Sequence, residues 1–64
     1  MDSKEIHRAM RLRLPVMYEG KRYEYMDQYI SWFDKTGKNC LSVRLIDSQR
    51  NCHYVLAAKV TLAE

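Results

Sequence analysis

The chain has 64 residues, 47% of them hydrophobic, with a formal net charge of +3 and two cysteines. That length is one domain, 1–64, which buries only ~60% of its unfolded surface and leaves no room for a core and a deep catalytic cleft together. The composition argues against an enzyme, and no apolar run is long enough for a signal peptide or a membrane span.

The charge is unevenly placed. Residues 1–22 hold six basic side chains against three acidic ones, and the remainder holds five of each sign. A basic N-terminal third suits an anionic partner, and it suits a solvated helix face equally well. The cysteines, Cys40 and Cys52, form no CxxC and have no zinc-like spacing to His7 or His53. Two free thiols are expected, which points to a reducing, cytoplasmic setting.

In chain order, Asp2 or Ser3 can cap a short helix, with Glu5 favouring its dipole. Ile6, Ala9 and Met10, with Arg13 following, sit at helical spacing and form one narrow apolar stripe. The helix, 1–13, must end near Leu12 or Arg13, because Pro15 disfavours the helical conformation at Leu14. So short a helix needs a surface to pack on.

Val16 to Tyr18 reads as a first strand, and Glu19-Gly20-Lys21 as a turn. Arg22 to Met26 alternates, with Tyr23 and Tyr25 on one side. The central element is Gln28 to Ile46, two strand-like runs joined by Asp34-Lys35-Thr36-Gly37-Lys38. A type I turn with Gly37 in a G1 bulge fits this loop. It predicts Asp34 opposite Lys38, Trp32 opposite Cys40 and Tyr29 opposite Val43. One face then carries Tyr29, Ser31, Phe33, Leu41, Val43 and Leu45 and is expected to be core. The other carries Gln28, Ile30, Trp32, Cys40, Ser42, Arg44 and Ile46, and the helix is expected to cover it.

A second turn is expected at Asp47 to Asn51. With the reversal at Gln49-Arg50, Cys52 falls opposite Asp47, well away from Cys40. Cys52 to Leu56 is the next strand, Ala57-Ala58-Lys59 one turn of 3₁₀ helix, and Val60 to Leu62 a last short strand.

Five short strands with tight turns suggest a small, closed or nearly closed barrel over residues 15–62. The ending, Tyr54 through Leu62, resembles the close of SH3-like barrels, where strand four runs through a 3₁₀ turn into strand five. The resemblance implies a mainly β fold, a small SH3-like antiparallel barrel of four to five strands with a short N-terminal helix. The acidic, paired-aromatic loop of signalling SH3 domains is missing, so binding of proline-rich peptides is not implied. Leu12-Arg13-Leu14-Pro15-Val16, Tyr18-Glu19-Gly20-Lys21-Arg22-Tyr23 and Trp32-Phe33-Asp34 are similar to a pattern in small Firmicute prophage and mobile-element proteins with no assigned activity. That resemblance implies a host range and a fold, and no mechanism.

No catalytic constellation emerges. Cys52 and His53 are adjacent in a strand and point to opposite faces, which defeats both a metal site and a Cys–His pair. Asp34 and Asp47 have turn-forming roles available. No phosphate loop can be built on Gly20 and Gly37 alone. No cofactor, metal or small-molecule substrate is expected.

The seven aromatic side chains are the most suggestive feature. They fill and cap a tiny barrel, or they interleave with cations to stack bases and hold phosphates. Two functions follow. The first is a non-enzymatic module that binds a protein partner or itself through an aromatic patch or sheet edge. The second is a small nucleic-acid-binding domain using Arg8, Arg11, Arg13, Lys21, Arg22, Tyr23, Tyr25 and Arg44.

Overall fold

The computed structural model describes residues 1–63. Helix α1 spans Ser3–Leu12. Asp2 caps it in a reciprocal capping box with Glu5, whose N–H donates to Asp2 Oδ1 at 2.8 Å. It ends in a Schellman motif: Arg13 takes the left-handed conformation, and Leu14 N–H reaches back to the Ala9 carbonyl at 2.9 Å. The stop before Pro15 is where the sequence places it.

Six strands follow among the described residues, and the protein is mainly β. They are β1 (Val16–Tyr18), β2 (Lys21–Tyr23), β3 (Tyr25–Phe33), β4 (Asn39–Ile46), β5 (Cys52–Leu56) and β6 (Val60–Leu62), with a 3₁₀ turn at Ala57–Lys59. They form two three-stranded antiparallel sheets, ordered β2-β1-β6 and β3-β4-β5. The sheets do not close on each other, so of the expected closed or nearly closed barrel the closed form is not what forms. The single run expected from Arg22 to Met26 breaks at Glu24, where the chain turns a corner between sheets. There Glu24 N–H donates to the Ile46 carbonyl at 2.8 Å.

The β3–β4 hairpin has the expected register, with Trp32 opposite Cys40 and Tyr29 opposite Val43. Asp34 N–H bonds the Lys38 carbonyl and Gly37 N–H bonds the Asp34 carbonyl, both at 3.0 Å, with Gly37 at φ +83°. That is a type I turn with a G1 bulge. A further bulge, between Met26 and Gln28, sets Asp27 outside the ladder.

The β4–β5 loop repeats the same turn without a glycine. Asp47 N–H bonds Asn51 O, Arg50 N–H bonds Asp47 O, and Arg50 stands where Gly37 does, at φ +66°. Cys52 is therefore opposite Ile46, one residue from the expected Asp47. The slip arises because Arg50 adopts a conformation usually left to glycine or asparagine. Cys40 and Cys52 are free thiols, six positions apart along β4, or roughly 20 Å.

The core combines Ile6, Ala9, Val16, Tyr23, Met26, Val43, Leu45, Ala57 and Val60. Ile6 and Ala9 are fully buried in the same cluster as Val43 and Leu45, and His7 bonds Tyr29. The helix thus packs on the Val43/Leu45 face, the opposite of the expected one. One apolar stripe covers one face, and this face holds the larger buried set. Tyr29 and Phe33, expected in the core, are exposed because the hairpin arm runs past the helix.

The two matched turns give a paired test. Neither a neighbouring side chain nor backbone crowds Gly37, so Gly37→Ala should cost only left-handed strain, about 1 kcal/mol. Arg50→Gly should instead stabilise, by roughly 0.5–1 kcal/mol after the entropy of a freer unfolded chain. Urea midpoints of the two variants should move in opposite directions.

Candidate interaction surfaces

The free face of the β3-β4-β5 sheet follows from strand alternation. Ile30, Ser42 and Leu56 form one cross-strand row, and Gln28, Arg44 and Tyr54 form the next. Trp32 and Cys40 extend it towards the hairpin tip. Ile30, Trp32, Tyr54 and Leu56 are 42%, 40%, 57% and 43% exposed. Four large apolar side chains on one uncovered face form a contiguous patch, unlike scattered surface residues.

Polar contacts hold the patch in place. Trp32 Nε1–H donates to Ser42 Oγ at 2.9 Å. Arg44 grips Asp27 with two guanidinium donors, Nε reaching Oδ1 at 2.7 Å. That fork holds the Asp27 carboxyl below its ordinary value and raises Arg44. Arg44 also lies 6.0 Å from the Tyr54 ring centre, and Tyr54 OH donates to Gln28 Oε1 at 3.4 Å. Beside the patch is an open groove of about 490 Å³ between Met1, Leu41, Leu56 and Ala57. It forms where β5 stops opposite Ser42, leaving Asn39–Leu41 of β4 without a partner on that side.

The cations expected to act together are dispersed. Arg8 and Arg11 are exposed on the helix. Arg13 lies 4.9 Å from the Tyr25 ring centre, beside a cleft of about 430 Å³ that also includes Asp47 and Arg50. Arg22 is paired with Glu24 at 2.9 Å. Arg44 is on the outer face of the sheet, and α1 packs on the inner face. Tyr23, expected as a stacking platform, is 7% exposed and belongs to the core. The corner at Glu24 turns it inward, away from Tyr25, and Lys21 Nζ lies 5.2 Å from its ring centre.

Asp47 and His53 are 3.1 Å apart through Oδ2 and Nε2, and the His53 ring meets Tyr23 edge-on at 5.4 Å. This pair is a turn fastening. Asp47 Oδ1 accepts N–H bonds from Gln49 and Asn51, both at 2.9 Å, as Asp34 Oδ1 does from Thr36 and Lys38. No group of three metal-ligating residues occurs among the described residues. No helix among them is long and apolar enough to cross a membrane.

Sequence reasoning did not identify Ile30, Trp32, Tyr54 and Leu56 as one exposed set. The available signal was that the helix has one apolar stripe for two apolar sheet faces. No family model, curated protein or solved structure matches the chain.

Asp47 makes a pH prediction. The Asn51 N–H foremost, with His53 and Gln49, lowers its pKa from 3.8 to about 2 against the opposing effect of burial. A depressed carboxylate contributes stability above its unfolded value and loses it as pH falls through its folded value. Asp47→Asn should therefore be less stable than the parent at neutral pH. The gap should shrink below pH 3.8 and vanish below about 2. Urea midpoints measured across that range check the sign.

Proposed function

We propose that the protein is a non-enzymatic protein-interaction module, and that the outer face of β3-β4-β5 is its contact surface. The framework is read as an open SH3-like arrangement. The chain order supports it: β2 and β3 follow one another through the Glu24 corner from one sheet into the other, and a 3₁₀ turn leads into a last strand beside the first. The observation that carries the function is the uncovered row of Ile30, Trp32, Tyr54 and Leu56. Trp and Tyr are the side chains that most often anchor interfaces. Ser42, Gln28 and the Arg44–Asp27 pair fix their setting, so little order has to be acquired on binding.

The neighbouring edge belongs to the same surface. β5 is an outer strand, and Cys52-His53-Tyr54-Val55-Leu56 contains neither lysine, proline nor an acidic residue. Those are the usual devices that prevent strand addition. A partner can therefore cover the face and extend the sheet at once, whether it is a second copy or another protein's apolar strand.

Trp32 is the sole tryptophan, so its emission reports directly on coverage. Sedimentation equilibrium and lysate capture should reveal a complex in which that emission shifts to the blue. Trp32→Ala should weaken it by roughly 30-fold, the size of a hot-spot residue. Leu56→Lys should abolish it without altering the circular dichroism. A strict monomer that captures nothing would overturn the reading.

A further inference from the structure

A second surface lies on the other side of the central sheet. Lys4, Arg8 and Arg11 are all exposed on α1, at positions i, i+4 and i+7, which share one helix face. With His7 they line an open recess of about 280 Å³. The ion pairs among the described residues involve Arg22, Arg44 and His53, and none of the three helix cations. The one acidic residue within the helix, Glu5, is committed to the capping box.

Part of this row works against the helix it sits on, although Arg11 in the last turn suits the dipole. Lys4 is in the first turn, where the dipole favours anions, and Lys4 and Arg8 repel as an i, i+4 like-charged pair. We propose that Lys4, Arg8 and Arg11 form a contact row for the phosphate backbone of a nucleic acid. The rise along the helix is ~6 Å from Lys4 to Arg8 and ~4.5 Å from Arg8 to Arg11. Steps of that size let long, flexible side chains reach successive phosphates of one strand.

The geometry favours nucleic acid over an anionic membrane. An interfacial helix inserts its apolar side between lipids. Here Ile6 and Ala9 are fully buried in the core and Met10 packs against it, which leaves Leu12 as the exposed apolar residue of the helix. The row contacts phosphates alone. Of the tyrosines expected to stack, Tyr23 is core and Tyr25 is beside Arg13, while Tyr29 beside the recess is engaged by its hydrogen bond to His7. Binding is therefore independent of sequence and needs no base stacking.

Fluorescence anisotropy with a labelled oligonucleotide, single-stranded and duplex, tests this. The parent should bind at low salt. The triple variant Lys4→Gln, Arg8→Gln, Arg11→Gln should lose that binding, with log affinity against log salt flattened by about 2 to 3, the slope of three phosphate contacts. Glutamine is a good helix former, so the melting temperature should hold. Arg22→Gln removes one exposed charge elsewhere and should leave binding unchanged, and Arg8→Lys should retain it. The proposal is overturned if the oligonucleotide does not bind at low salt, or if the triple variant binds like the parent. It is equally overturned if Arg22→Gln weakens binding as much as Arg8→Gln, or if phosphatidylserine vesicles compete the oligonucleotide away. Trp32→Ala should bind the oligonucleotide normally, which separates this surface from the protein-binding face.

Discussion

A ten-residue helix with one apolar stripe covers one face of one sheet. Everything else in this fold is arranged around that limit. The β3-β4-β5 sheet is apolar on both faces, and Ile6 and Ala9 seal the face that holds Val43 and Leu45. The remaining core comes from the second sheet and the 3₁₀ turn, through Val16, Val60 and Ala57. No element among the described residues covers Ile30, Trp32, Tyr54 and Leu56. Their exposure gives the outer face its capacity for a partner.

The two hairpin turns show how different sequences reach one geometry. Asp34 and Asp47 each present Oδ1 to two backbone N–H groups and so close the loop from its first residue. The left-handed position four residues into each loop is Gly37 in one and Arg50 in the other. The aspartate supplies enough directed hydrogen bonding for the second turn to form over the strain at Arg50. His53 adds to this by bonding Asp47 from β5, which ties the turn to the strand that it launches.

Much of the fold was legible in the sequence where a residue has few conformational options. Pro15 ends the helix, Gly37 sets the hairpin register, and the short Ala57-Ala58-Lys59 break becomes a 3₁₀ turn. The errors occur where the choice is tertiary. Two apolar faces compete for one helix, and alternation alone does not rank them. Arg50 carries no sign that it will replace a glycine. Glu24 looks like any polar residue in an alternating run, so the corner that buries Tyr23 and frees Tyr25 is invisible beforehand. Of the candidate site, the basic helix was legible from spacing. The outer patch was not, because its residues come from three strands joined only by the correct β5 register.

That register also explains why the two surfaces do not interfere. Strand alternation assigns Arg44 to the outer face, where Asp27 neutralises it and Tyr54 shields it. The bulge at Asp27 is what makes this pairing reachable, since it sets the carboxylate outside the ladder. An unpaired Arg44 would add positive charge to the apolar patch and repel a second copy or any basic partner. With the pair formed, the patch is neutral, while the unpaired cations of α1 lie across the sheet. Opposite faces of three strands separate an apolar contact from a charged one by the thickness of a sheet and a helix. A partner bound to the outer face would therefore leave Lys4, Arg8 and Arg11 open to solvent.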